Sequence, residues 1–87
     1  MKMIIVIVKD TEADALTRAL IGAEYRVTRI ASTSGFLRSG VDTLLIGVKD
    51  ERVDSAIALV RETVTASESG EKRATLFVVP IQRFEQI

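Results

Sequence analysis

Six apolar residues in succession, Met3 to Val8, stand between Lys2 and the pair Lys9-Asp10. A run this short fits a buried strand, and it is far below the roughly 20 apolar residues that a membrane helix needs. Past Asp10 the period changes. Ala13, Leu16 and Leu20 fall on one helical face, and Gly22 supplies the stop. The stretch "EYRVTRIAS" then alternates as a strand, with Arg26 and Thr28 on one side and Tyr25 and Val27 on the other. The alternation slips at "TRIA", which predicts a bulge or an arm leaving the sheet. From Leu44 the order recurs. A second apolar strand leads into a second Val-Lys-Asp at 48–50, after the first at 8–10. Val53, Ile57, Val60 and Val64 then follow helical spacing, and "RATLFVVPI" reads as the last strand. Asp10 and Asp50 stand where N-caps are expected, their carboxylates accepting from the free amides of the first turns.

The order is βαββαβ, two half-units in tandem within one domain over residues 1–87. Short links and right-handed crossovers make the natural solution an α+β, ferredoxin-like sandwich: a four-stranded antiparallel sheet with both helices on one face. The first and third strands are expected at its centre, since they are the most continuously apolar. Met3, Ile5 and Ile7 point one way, and Ile4, Val6 and Val8 the other. Both faces of the sheet are therefore apolar, while the helices can cover only one. An exposed apolar patch of this kind marks an interface, so an oligomer that buries the second face is expected.

Composition narrows the chemistry. The chain has no Cys and no His, so disulfides, thiolate metal sites and the commonest general base are excluded. Ser32, Ser34 and Ser39 have no obvious activating base, and no enzyme is expected. The carboxylates at Asp10, Glu12 and Asp14, and at Asp50, Glu51 and Asp54, are accounted for by the helix dipole, without a metal. Twelve basic residues balance twelve acidic ones, so no global field recruits nucleic acid or an anionic membrane. Gly35 and Gly40 have the spacing of a phosphate loop but lack the Lys-Ser/Thr that would complete it. The central strands carry no aromatic residues on which RNA bases could stack. Lys9-Asp10 closes the first apolar run with no small-residue cleavage site behind it, so a cytoplasmic location is expected.

Residues 32–40, "STSGFLRSG", combine loop-forming Ser, Thr and Gly with Phe36, Leu37 and Arg38. Backbone donors, hydroxyls, a guanidinium and an aromatic ring are the groups that hold a purine nucleotide. The same Phe36 and Leu37 could instead plug a neighbouring subunit, and the two roles are compatible.

"MKMIIVIVKD", "YRVTRIAST", "GFLRSG", "IGVKDERVD" and "LFVVPIQRFEQI" together resemble the PII-like cyclic di-AMP receptor family over nearly the whole chain. Thr33-x-Gly35-Phe36-Leu37-x-x-Gly40 is the most specific part. The resemblance implies a non-catalytic signalling homotrimer, related to PII signal transducers, that binds a nucleotide between subunits. Cyclic di-AMP, or another adenine nucleotide, is the implied ligand, with no cofactor and an unknown downstream protein as partner. Carried over by position, Arg26, Thr28, Thr33, Gly35, Phe36, Leu37 and Gly47 would surround the ligand, with Phe77 and Gln86 contributing from the last strand and the tail. This chain departs from the family pattern at Ser34, where Gly is common, and at Glu24 and Val41, where Asn is familiar. Its segment "TASESGEKRAT", with Lys72 and Arg73, is shorter than the family's loop and would make it a short-loop, divergent member. Two readings of other classes stand beside the nucleotide sensor. One is a structural or interaction trimer whose loop at 32–40 serves only subunit packing. The other is an amino-acid-binding regulatory domain of the same general fold.

Overall fold

A computed structural model of the protein describes residues 1–30, 40–64 and 74–87. The elements are β1 (Lys2–Lys9), α1 (Asp10–Gly22), β2 (Arg26–Ile30), β3 (Val41–Val48), a 3-10 turn (Asp50–Arg52), α2 (Val53–Thr63) and β4 (Ala74–Pro80). The sheet order is β2-β3-β1-β4, with every neighbouring pair antiparallel. This is the expected βαββαβ arrangement, with the two most apolar strands at its centre.

The helix-covered face holds the core. Ile4, Val6 and Val8 of β1 and Leu44, Ile46 and Val48 of β3 are buried together with Ala13, Leu16 and Leu20 of α1. From the second half come Ala56, Val60 and Val64. Ala56 is fully buried, whereas Val53 and Ile57, which the spacing also places on this face, are only partly buried. The small side chain at 56 is enclosed in the core, and the larger Val53 and Ile57 lie at its margin.

The helix ends differ from the sequence expectation. Lys9 occupies the N-cap of α1 and no side chain caps it. The Asp10 amide instead donates to the Gly40 carbonyl at 2.8 Å, so backbone from the start of β3 replaces the expected carboxylate. Asp50 opens a 3-10 turn, and its carboxylate pairs with the Met1 ammonium at 2.9 Å rather than capping a helix. At the far end of α1, Gly22 is the last helical residue, but the left-handed conformation falls on Glu24, with φ 67°. Tyr25 N–H donates to the Leu20 carbonyl and Glu24 N–H to that of Ile21, both at 2.9 Å. This paired pattern is the Schellman motif, in which the left-handed position usually holds Gly or Asn.

Arg52 secures this end. Its guanidinium lies 4.1 Å from the centre of the Tyr25 ring and donates to the Ala23 carbonyl at 3.0 Å. One side chain thus joins the 3-10 turn before α2 to the end of α1 and the start of β2. The β2–β3 register runs without interruption from Arg26↔Gly47 to Ile30↔Thr43, so the expected bulge at "TRIA" is absent through Ile30. An arm leaving the sheet would begin beyond Ile30, outside the described residues.

Glu24→Gly is expected to raise stability by about 0.5–1 kcal/mol, because a left-handed backbone is costly for a residue with a Cβ. Urea unfolding at fixed protein concentration measures it; a loss of stability would show that the Glu24 side chain contributes more than the turn costs.

Candidate functional site

The face away from the helices is a grid that the strand register defines. One row reads Arg26, Gly47, Met3, Val79, and the next reads Thr28, Leu45, Ile5, Phe77. A third reads Ile30, Thr43, Ile7, Thr75. Met3, Ile5, Ile7, Leu45 and Val79 are half-buried by one another, Phe77 is 52% exposed, and Arg26 and Thr28 are exposed. Four of the residues expected at a ligand site, Arg26, Thr28, Gly47 and Phe77, therefore share one surface. Three of them cluster on β2 and β3. Phe77 lies on the opposite edge strand, about 14 Å from Thr28 at ordinary strand spacing.

Gly47 stands on a central strand in the end row of this surface, beside Arg26. A Cβ placed there would meet no heavy atom within 4 Å among the described residues, and its φ is not left-handed. Nothing among the described residues requires glycine at this point of a central strand, where glycine weakens the sheet.

The tail brings a fifth residue. After Pro80, Ile81 N–H donates to the Met1 carbonyl at 3.1 Å, and the chain continues to Gln86. The Gln86 amide oxygen accepts from Arg26 Nη1 at 3.4 Å, so a residue at the end of the chain meets the start of β2. Thr33, Gly35, Phe36 and Leu37 of the expected site lie outside the described residues, as do Lys72 and Arg73.

On the covered side of β2 is a group that the sequence reading missed. Arg29 Nε donates to Asp42 Oδ2 at 2.8 Å, Nη2 lies 2.6 Å from the same oxygen, and Nη1 bonds Asp14 of α1. Asp42 is only 3% exposed, and its pairing with Arg29 offsets the burial of its charge. The Arg29 hydrogen bond and charge hold the Asp14 carboxyl below its ordinary value, and Asp14 with Asp42 raises that of Arg29. The signal was present in the chain. The slip at "TRIA" is an arginine taking a covered-face position because two carboxylates receive it there. Asp14, Thr17, Arg18 and Arg29 line a shallow groove of about 300 Å³ beside this cluster. Among the described residues no group of three or more acidic side chains could hold a metal ion. No helix among them is long and apolar enough to cross a membrane.

The strand order and the two helices make this a small α+β domain. A family profile described as cyclic-di-AMP receptor matches residues 1–70. The chain belongs to the cyclic-di-AMP receptor family. It is also similar to a functionally unknown protein from Pediococcus pentosaceus ATCC 25745, whose crystal structure superposes with a TM-score of 0.80 at 30% identity. That match covers 99% of this chain and 96% of the other.

The Arg29 cluster sets two expectations. Asp42→Asn removes a charge-assisted hydrogen-bond acceptor from a buried position and is expected to cost about 1.5–3 kcal/mol in urea unfolding. Asp14, with its folded pKa lowered, contributes stability above the ordinary Asp pKa of about 3.9, and that contribution is lost as pH falls through the folded value. Asp14→Asn should therefore flatten the fall in stability on acidification below about pH 5, and the difference should shrink in high salt because the pair is exposed. An unchanged acid limb would assign that fall to other carboxylates.

Proposed function

We propose that the protein is a non-catalytic signalling receptor that binds cyclic di-AMP, or another adenine nucleotide, on its open sheet face between the subunits of a homotrimer. Gly47 carries the reading. Glycine at a central strand position that the fold leaves open fits a surface where a ligand or a second chain comes close to the backbone. Arg26 beside it supplies a guanidinium for phosphate, and Thr28 a hydroxyl for a base edge. Phe36 and Leu37 would wall the base, with Thr33 and Gly35 of the same loop lending a hydroxyl and a backbone amide. Phe77 is too far from Thr28 to touch the same base, so its part is to line the neighbouring subunit's cleft. The half-buried apolar row of Met3, Ile5, Ile7 and Leu45 supports burial of this face between chains. A cytoplasmic setting and a protein partner downstream go with this role.

A structural trimer without nucleotide is the second reading, and the same apolar row favours it. Calorimetry with cyclic di-AMP, ATP and AMP, together with a solution mass, separates the two. A trimer and heat with at least one nucleotide are expected for the receptor. A trimer without heat up to millimolar nucleotide would leave the structural reading, and a 9.5 kDa monomer would overturn both. Gly47→Val is expected to keep the fold, since valine suits a strand, and to weaken nucleotide binding at least about tenfold by occupying the space above the strand.

A further inference from the structure

Arg26 and Thr28 stand on β2, an edge strand that pairs with β3 on one side only. Of its five residues, Val27 alone packs against the core, and the other four are exposed. A strand with so few buried apolar contacts opens easily unless its ends are secured. Here a guanidinium secures each end. Before Arg26, the buried Tyr25 ring lies under Arg52 at 4.1 Å. After Thr28, Arg29 bonds Asp42 of β3 through two nitrogens, at 2.8 and 2.6 Å, and Asp14 of α1 through a third. Asp42 is only 3% exposed, so this bond forms where water competes little.

Taking Arg26 and Thr28 as ligand contacts of the proposed receptor, we infer that Arg29 is a positioning residue for the open-face site. Clasped by Asp42 and Asp14, it holds β2 where those two side chains meet the nucleotide. The inference rests on that reading of the open face. Alternation turns Thr28 to the open face and Arg29 to the covered one, so the clasp lies behind the ligand surface and takes no room on it. The fork of the guanidinium bonds in two directions, which fixes the strand both along the sheet and toward α1. Thr28 is one residue away, and a hydroxyl displaced by about half an ångström no longer meets its partner well. Simple charge makes the opposite demand. Asp42 is an anion behind a surface proposed to take an anion, so its removal should strengthen binding if attraction alone were at work.

Calorimetry of Asp42→Asn with cyclic di-AMP decides between position and charge. Binding roughly tenfold weaker than in the parent protein is expected, as for a contact whose supporting bond is lost. Equal or tighter binding would overturn the inference. Val60→Ala, in the core on α2, lowers stability without touching the clasp and is expected to leave the affinity as it was. The same weakening by Val60→Ala would make the effect one of general stability, and would also overturn it. Asp14→Asn opens only the exposed arm of the clasp, so this variant is expected to fold. Without ligand, hydrogen exchange at its protected β2 amides should quicken about threefold or more, while β1 exchanges as in the parent. Unchanged exchange along β2, or the same change in β1, would overturn the clasp whether or not a nucleotide binds. Absence of nucleotide heat in the parent protein would count instead against the receptor, and the exchange rates would still decide whether Arg29 holds the strand.

Discussion

A sheet with two apolar faces and helices enough for one is the constraint from which the rest of this structure follows. Alternation along β1 places Ile4, Val6 and Val8 against α1 and α2, and leaves Met3, Ile5 and Ile7 on the other side. Burial of the first set fixes the register, because a slip of one residue would turn the whole core outward. That same register puts Arg26 next to Gly47, and Thr28 next to Leu45. The open-face geometry is therefore inherited from the core. A site made in this way is as rigid as the packing behind it, and changes in the core should be felt there before they unfold the chain.

Two arginines perform the joining that a small core cannot. Arg52 ties the turn before α2 to the Ala23 carbonyl just past α1 and to the ring of Tyr25. Arg29 ties β2 to β3 through Asp42 and to α1 through Asp14. Each uses the planar fork of a guanidinium to bond in more than one direction, which an ammonium at the same place would not reproduce. They hold α1 near opposite ends, so its position over the sheet does not rest on Leu16 and Leu20 alone.

Most of the architecture was legible because it rests on period and burial. The two apolar runs, the helical spacing after each and the repeated Val-Lys-Asp were enough to order six elements and to place β1 and β3 centrally. The helix ends were less legible, because they depend on backbone partners distant in sequence. The Gly40 carbonyl took the role expected of the Asp10 carboxylate, and Glu24 took the left-handed turn expected of a glycine. Glu24, which stands where Asn is familiar in the family pattern, occupies a left-handed helix stop that Asn tolerates well. Of the candidate site, alternation put Arg26 and Thr28 on one face and only the family resemblance pointed to Gly47 and Phe77, whereas the meeting of Gln86 with Arg26 followed from neither. No local pattern brings residue 86 to residue 26.

The hydrogen bond from Asp10 to Gly40 has a wider meaning when set beside the Arg29–Asp42 pair. Both contacts act at the roots of the segment 31–39, one tying its return to α1 and the other tying its two flanking strands together. The residues that flank the segment are thus tied into the fold. Closing a longer loop on fixed ends costs little, about 0.6 kcal/mol for each doubling of its length. Sequence and length can therefore drift at that place at little cost to the stability of the domain.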